Sequence, residues 1–414
     1  MANVVYRELE IRFPNGDNET ITGSNILSES MTIIRSICDG NLKLGGCIAA
    51  QFELQLIRIS PDRVQGKKIQ AVLLEYSDQH YEVLYPRDNL IPSDSLIPDG
   101  HYSYNCTERI MFTGYVDKAA RQKNRQIVNI TAYDDLYRLG CQNVAIWFSQ
   151  FAQYSGNAYN VYIMTLLESL FNSQIGYDEQ ADPNGMQWIL RWQTSAENNN
   201  YTRPLSLSKN LVETLYKGDI LAVDILKAAN ELMGLFGYIT PEGKYTTMSI
   251  VEELPVTISR WIDLEFEEYN TEQIDIVSFD YYDSRKMIFG RSSSTNSCYY
   301  SDDNILTRCS TNYDNVKNLI KNVANAGKLT VGNINNVGYK YRPFKLTTID
   351  KLLPSGVGLG SRVHIATGEN DMPWVDSFVF QEKITGIQSL KYELSAEGDR
   401  ILAGYDNLSE VVTS

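Results

Sequence analysis

Phe112–Val116 (FTGYV) followed by Val128–Ala132 (VNITA) is the stretch that decides the fold. A similar stretch lies near the other end of the chain, where Phe380–Ile387 (FQEKITGI) precedes Leu390–Ala396 (LKYELSA). Each reads as a strand that reaches a glycine, bends, and continues as an alternating strand ending in alanine and an acidic residue. Glycine inside a strand marks a bulge or a close approach of two backbones. The sequence therefore predicts an internal duplication, with one such β-ribbon near each end.

The rest of the N-terminal third carries the same β signal. Gln51–Ile59 alternates apolar and polar residues, and three further runs do likewise. Turn-forming residues separate the runs, as expected of short antiparallel strands that close into a small barrel. The further runs are Ile69–Glu75, Arg109–Asp117 and Gln126–Ala132, and the turns are Ser60–Asp62, Pro98–Gly100 and Arg121–Asn124.

The middle of the chain has helical periodicity. Apolar residues three or four apart predict helices over Val161–Phe171, Ile220–Met233 and Asn315–Ala326. Asp219 is the expected N-cap of the second helix, and Gly234 its stop. Tyr245–Val251, residues 261–289 and residues 341–398 look like strands. The predicted fold class is therefore α+β, mostly β, with the apolar stripes packed as core.

Composition narrows the class of protein. A chain of 414 residues is too long for one core, so two to four domains are expected. With 37 basic and 51 acidic residues the formal charge is −14, which disfavours a protein that grips phosphates. The acids could keep the subunit soluble or line a wall that repels DNA, and both interpretations stay open. The N-terminus resembles no signal peptide, and no run is long and apolar enough for a membrane span.

The side chains that usually carry chemistry are sparse. The three histidines, His80, His101 and His364, form no metal-binding pair, and the six cysteines contain no C-x-x-C. Free thiols are the expectation. Gly356–Gly360 resembles a phosphate loop, but the strand predicted after it (Ser361–Ala366) lacks the helix N-terminus that holds a phosphate. We therefore predict no catalytic, cofactor-binding or metal-binding residue, no cofactor, and no enzymatic activity.

Six segments, in order along nearly the whole chain, resemble one family, the tail hub proteins of bacteriophages and phage-derived particles, particularly those infecting Gram-positive bacteria. The similar segments are Leu44–Cys47 with Phe52–Leu54 (GG…FEL), Phe112–Val116 with Ile130–Tyr137 (FTGYV…AYDDLY), Ile225–Ile239 (a helix, then FG), Ser301–Leu306 (DNIL), Tyr341–Pro343 (YRP), and Thr385–Leu390 with Ala396–Gly398 (GIQSL…AEG).

The resemblance implies two tube-type antiparallel β-barrel domains with smaller α+β insertions, assembled as a ring. On this chain it places the first barrel at 1–140, a mixed α+β domain at 141–254, the second barrel at 255–290 and 335–414, and a helical insertion at 291–334. Two barrels in each of three chains would make six, which matches a six-fold tail tube.

The same resemblance implies a function and a set of partners. The chain would be a homotrimeric structural hub of the tail tip or baseplate in the virion, made in the host cytoplasm. It would contact the tail tube or distal tail protein ring, the tape measure protein and the central spike or tip protein. DNA would only pass through its lumen. A contractile or flexible tail, and a phage or a bacteriocin-like particle, are equally compatible.

Two alternatives remain. The first is a cell-wall-degrading enzyme, which would need a catalytic constellation that the sequence does not display. The second is a carbohydrate-binding module, for which stacking tryptophans would be needed, although core packing is their more usual role. The five tryptophans are Trp147, Trp188, Trp192, Trp261 and Trp374. The 27 tyrosines favour an assembly protein, since tyrosine suits subunit interfaces.

Overall fold

We analysed a computed structural model of the chain. It describes residues 4–14, 19–40, 42–78, 104–122, 126–156, 162–175, 187–189, 205–248, 255–271, 276–283, 285–290, 298–326 and 341–398. His80, His101, Trp192 and the turn at Pro98–Gly100 lie outside these residues.

Strands predominate. They are β1 Val4–Arg12, β2 Thr20–Ile21, β3 Thr32–Ser36, β4 Gln51–Ile57, β5 Lys68–Asp78, β6 Tyr104–Arg121, β7 Ile127–Tyr133, β8 Gln187–Ile189, β9 Phe236–Ile239, β10 Lys244–Met248, β11 Val256–Ile258, β12 Asp263–Phe266, β13 Ile276–Asp280, β14 Lys286–Gly290, β15 Cys298–Ser301, β16 Phe344–Ile349, β17 Arg362–Ala366, β18 Trp374–Phe378, β19 Gln381–Thr385 and β20 Lys391–Ala396.

The helices are shorter and cluster in the middle of the chain. They are α1 Asp135–Leu139, α2 Ala145–Gly156, α3 Ile163–Leu170, α4 Lys209–Tyr216, α5 Ala222–Met233, α6 Ile305–Arg308 and α7 Tyr313–Ala326. The fold is thus α+β and mostly β, as the sequence predicts. No helix in the described ranges is both long enough and apolar enough to span a bilayer.

One sheet of eleven strands organises the molecule. Its order is β12-β16-β20-β19-β3-β4-β7-β6-β5-β1-β2, so strands from the two ends of the sequence share one sheet. Three smaller sheets accompany it, with orders β8-β10-β9, β11-β17-β18 and β14-β13-β15. β13 and β14 thus pair with each other and with β15, outside the large sheet.

Alternation decides which face of the large sheet is buried. Along β4, Phe52, Leu54 and Leu56 are buried while the residues between them face outward. β7 repeats the pattern against it, because the two strands pair directly from Gln51 opposite Tyr133 to Ile57 opposite Ile127. Period-two alternation gives a strand one apolar face, and that face becomes core.

Two apolar cores result. One lies inside the N-terminal strands and also takes in Ile384, Ile387, Leu390 and Tyr392 from the C-terminal strands. The other joins the helices to the remaining C-terminal strands. The two ends of the chain are consequently packed into each other rather than merely tethered.

Helix α5 shows what the sequence pattern captured and what it missed. Gly234 ends the helix in the left-handed conformation (φ 69°), as expected of a glycine stop. The start differs from the expectation, because the N-cap is Leu221 and not Asp219. The Asp224 carboxylate accepts the Leu221 N–H at 3.0 Å and so performs the capping. Among the described helices, α1, α2, α4 and α6 have no counterpart in the sequence prediction.

Candidate assembly site

Four strands near each end of the chain form the same arrangement. We call β3-β4-β7-β6 the first repeat and β12-β16-β20-β19 the second repeat. The two sets are neighbours in the large sheet, and the strands of each follow one another in the corresponding order. In both, the second and third strands pair antiparallel with an equivalent register. Phe52 lies opposite Ala132 in the first repeat, and Phe344 opposite Ala396 in the second.

The hydrogen bonds at the ends of these two strand pairs repeat as well. In the first repeat the Arg58 N–H donates to the Gln126 carbonyl at 3.0 Å, just beyond the ends of β4 and β7. In the second repeat the Asp350 N–H donates to the Leu390 carbonyl at 3.0 Å in the same place. Each bond continues the antiparallel register of its strand pair by one position, so the two pairs end in the same way.

A bulge is duplicated too. The Gly66 N–H donates to the Val116 carbonyl at 2.9 Å, and the Gly360 N–H donates to the Val379 carbonyl at 2.8 Å. Both glycines have positive φ, 72° and 81°. Each valine also donates its own N–H to the residue after the glycine. The long strand β6 of the first repeat therefore corresponds to β18 and β19 together, interrupted by the bulge.

The sequence predicted this duplication but placed its register wrongly. It aligned Gly114 with Gly386, whereas the structure aligns Val116 with Val379. Gly114 lies inside β6, where a Cβ would sit 2.3 Å from the Tyr133 carbonyl. Gly386 follows β19 in a turn with φ 89°. One glycine permits close strand packing and the other permits a turn.

The two repeats join edge to edge. β19 of the second repeat pairs antiparallel with β3 of the first, from Gln381 opposite Ser36 to Thr385 opposite Thr32. Arg35 and Glu382 form an ion pair of 3.2 Å across this seam, with side chains only 14% and 8% exposed. The Arg35 guanidinium also donates to the Met111 carbonyl. The seam is therefore a buried, specific contact.

A second contact reinforces the seam. The buried Arg7 side chain of β1 lies between two carboxylates, Glu75 at 2.8 Å and Asp350 at 2.5 Å. The Gln388 carboxamide pairs with the Arg7 backbone, accepting its N–H at 3.2 Å and donating to its carbonyl. The Gln388 side chain therefore makes the two hydrogen bonds that the backbone of a neighbouring strand would otherwise make.

The seam uses one edge of each repeat, β3 of the first and β19 of the second. The equivalent edge of the other repeat, on β12 and on β6, is not used in the seam. Among the described strands none pairs with the outer edge of β12, the counterpart of β3. β6, the counterpart of β19, pairs with β5 only as far as Tyr115. Beyond Tyr115 no described strand pairs with the outer edge of β6. We call residues 263–269 the acidic edge and residues 117–122 the basic edge.

The two edges carry opposite charges. On the acidic edge the exposed carboxylates are Asp263, Glu265, Glu267 and Glu268. On the basic edge Lys118 and Arg121 are exposed, beside one carboxylate at Asp117. Unpaired strand edges are templates for further strands, and charge complementarity favours one partner over others.

Several residues that carried the family resemblance brace the fold. Asp134 of the AYDDLY segment caps α1, accepting the N–H groups of Leu136 and Ala50, each at 2.9 Å. Asn304 of the DNIL segment caps α6 by accepting the N–H of Leu306 at 3.1 Å. Asp134 and Asn304 are therefore helix N-caps, and this role explains why polar side chains are buried at these two positions.

Glu231 is the centre of a buried polar cluster. Its carboxylate accepts hydrogen bonds from Tyr299 at 2.5 Å, Ser301 at 3.0 Å and Asn304 at 2.7 Å. Burial raises the pKa of Glu231 to about 7 in spite of these donors. Burial likewise raises the pKa of Asp134 to about 7. Sequence reasoning missed Glu231, because a glutamate in a helix normally indicates the solvent face.

These two pKa values predict that the subunit loses stability as the pH rises from about 4.5 to about 7. In the unfolded chain both groups ionise near pH 4, but in the folded chain they stay protonated up to about pH 7. The folded state therefore holds more protons in this window, at up to about 1.4 kcal/mol per pH unit for each group.

Thermal melts at pH 5.5 and 7.5 measure this effect. Glu231→Gln keeps the shape and removes one titration, so its melting temperature should depend less on pH than that of the unchanged chain. Glu265→Gln, a substitution of an exposed carboxylate, is the control. A melting temperature that rises between pH 5.5 and 7.5 would contradict the assignment.

A cavity of about 450 Å³ opens beside this cluster. Two buried thiols line it, but burial raises the pKa of Cys38 to about 12 and that of Cys47 to about 11. The thiolate is the nucleophile, so neither group is activated. Lys43 and Asp303 form an exposed ion pair of 3.4 Å at the same cavity. The cavity thus offers packing and hydrogen bonds, and no activated group.

Other chemistry-bearing side chains are spread apart. Within the described ranges, no three His, Cys, Asp or Glu side chains are grouped as metal ligands. His364 hydrogen-bonds Asp376 at 2.9 Å and stacks on Trp374, with ring centroids 4.3 Å apart. The strand expected after the glycine-rich loop is present as β17, which begins at Arg362. The absence of enzymatic activity stays a prediction.

Free thiols are what the sequence leads us to expect. Among the cysteines whose side chains the structure describes, Cys38, Cys47, Cys106, Cys141 and Cys309 are free. Two of these, Cys106 and Cys141, are exposed.

Comparison with known proteins adds two distant structural neighbours. No protein-family model matches the chain, and no curated protein does. The chain is similar to a solved structure of the tail protein from Neisseria meningitidis MC58, at 13% identity over 96% of this chain and 98% of that one, with a TM-score of 0.49. It is also similar to the 43 kDa tail protein of prophage MuSo2 from Shewanella oneidensis, at 10% identity over 94% and 97%, with a TM-score of 0.49. Both solved structures are tail proteins.

Proposed function

We propose that the chain is the structural hub of a phage-type tail tip or baseplate, in which three copies form a ring. The observation that supports this most directly is the pair of equivalent repeats joined edge to edge, with one acidic and one basic edge left at the ends. Two repeats in each of three copies give 2 × 3 = 6 equivalent units. Closed rings satisfy strand edges that a single copy exposes.

The hub would close the tail tube and join it to the central tip. Its partners would be the tail tube or distal tail protein ring, the tape measure protein and the central spike or tip protein. Its place would be the virion. Three copies carry a formal charge of about −42 (3 × −14). A ring of this charge suits a channel that lets DNA pass without holding it, since basic phosphate contacts would slow release.

A particle image tests this proposal. We expect cryo-electron microscopy of particles carrying a tagged copy of this chain to place the tag at the tube end, with three copies around the axis. A tag elsewhere on the particle, or a copy number that is not a multiple of three, would refute the hub.

A carbohydrate-binding module is the second candidate, because Trp374 is exposed. Trp374 is 42% exposed beside Asp376 and His364, a combination that could stack on a sugar ring. Trp261 instead donates its ring N–H to the Ala366 carbonyl at 2.6 Å, which is a packing role. Glycan-array binding that is lost in Trp374→Ala would favour this candidate.

A further inference from the structure

We propose that the basic edge pairs with the acidic edge of a second copy, and that Gln65 covers the basic edge until it does. This inference rests on the proposed ring and specifies its contact. The argument begins at the seam already present inside the chain, where β19 of the second repeat meets β3 of the first. Because β6 corresponds to β19 and β12 to β3, the same pairing between copies would join β6 to β12.

The equivalence fixes the register. In the seam Glu382 lies opposite Arg35. Their counterparts are Ala119 on the basic edge and Glu268 on the acidic edge, so these two residues would face each other between copies. The counterpart of the Ile384–Ile33 pair is then Arg121 opposite Phe266.

This register brings opposite charges together. Residues two apart on paired strands lie on one face within reach of long side chains. Lys118 would approach Glu267 on one face, and Arg121 would approach Glu268 on the other. We derived the register from the backbone equivalence of the two repeats and did not use the charges. The match of opposite charges is therefore an independent argument that a second copy of the chain binds this edge.

Gln65 occupies this edge in the single subunit. Its carboxamide donates to the Asp117 carbonyl at 2.5 Å and accepts the Ala119 N–H at 2.6 Å. In the second repeat the counterpart of Asp117 is Phe380, whose carbonyl accepts the Ile37 N–H at 2.9 Å across the seam. The Gln65 amide therefore stands where the backbone of a neighbouring strand belongs.

The second repeat lacks such a cap. Gln65 lies between Val64 and Gly66, and the matching segment between Val357 and Gly360 is Gly358-Leu359, which has no side-chain amide. The edge already covered by β3 has no glutamine cap of this kind, and the edge that no described strand covers has one. An exposed glutamine can swing away at little cost, so the cap would protect the free subunit from unspecific strand pairing and yield to the correct edge.

Cysteine cross-linking tests the pairing. Directly opposed residues on antiparallel strands have Cα atoms about 4.5–5.5 Å apart, which a disulfide can bridge. Mixing full-length Ala119→Cys with Glu268→Cys should give a disulfide-linked pair of copies under mild oxidation. Each variant alone, and Ile146→Cys mixed with Glu268→Cys, are controls, since Ile146 is exposed on helix α2. Light scattering of the same samples reports whether an oligomer has formed.

Two further variants test the cap. Gln65→Leu should lower the dissociation constant of the oligomer about tenfold, because pairing no longer displaces two hydrogen bonds. Gln388→Leu removes a similar carboxamide that bonds β1 of the same chain, away from the proposed contact, and should leave association unchanged. An Ala119→Pro variant, which removes only the outward N–H of β6, should dissociate the oligomer while the melting temperature of the subunit changes little.

The outcomes separate this inference from the hub itself. A three-copy ring that forms without the Ala119–Glu268 cross-link, or that survives Ala119→Pro, overturns the pairing and leaves the hub standing. An unchanged dissociation constant for Gln65→Leu overturns the cap. If no variant forms an oligomer at high concentration, the pairing is overturned. The copy number in intact particles decides separately whether the chain is the hub.

Discussion

Gly46→Ala should destabilise the subunit by about 3 kcal/mol or more and leave most of it insoluble. A Cβ on Gly46 would lie 1.9 Å from the Ile37 carbonyl oxygen, and a backbone atom cannot move aside as a side chain can. The Gly46 carbonyl also accepts the Gly237 N–H at 2.9 Å, which ties this segment to β9. Any shift that relieves the clash therefore disturbs the contact between the first repeat and the helical region.

Chemical denaturation against a second glycine variant measures the effect. Gly368 has φ 80° and open space around its Cα, so Gly368→Ala changes only backbone strain, at about 1–2 kcal/mol. Equal losses for the two variants would show that contact with Ile37 is not what requires glycine at Gly46.

Arg35→Met should cost about 3–5 kcal/mol, because it leaves the Glu382 carboxylate buried without its partner. The cost falls on the seam between the repeats, so the C-terminal strands should lose amide-exchange protection first. Both melting temperature and hydrogen exchange report the change.

A double variant separates charge from packing. Arg35→Met with Glu382→Leu removes both charges and should recover much of the lost stability, since replacing a buried ion pair with apolar residues is often nearly neutral. If the double variant is as unstable as the sum of the single ones, the ion pair is not what couples the two residues.

The alternating strands were predictable because their signal is local. β4, β7 and β20 were found at close to their observed bounds from alternation. Helices α3, α5 and α7 were found from their apolar stripes, and Gly234 as a stop from the need for positive φ. The short helix α4 was missed, because its two turns offer little periodicity.

The duplication was predictable only in outline. Two glycines in similar short motifs suggested it, yet Gly114 and Gly386 occupy unrelated backbone conformations. The equivalence that holds, Val116 with Val379, depends on a bulge whose hydrogen bonds reach residues about fifty and twenty positions earlier in the chain. Similarity between two short sequence motifs contains no information about hydrogen bonds to residues that far away.

The sequence by itself determined the class of fold, because period-two alternation and glycine stops are consequences of local backbone geometry. It also determined the acidic charge and the order of motifs that suggested a tail hub. Tertiary structure alone decided which edges meet. Arg35 and Glu382 are 347 residues apart, and Gln65 lies about fifty residues from the edge it caps. Pairing between such residues depends on the packing of the whole sheet, and no local pattern of side chains records it.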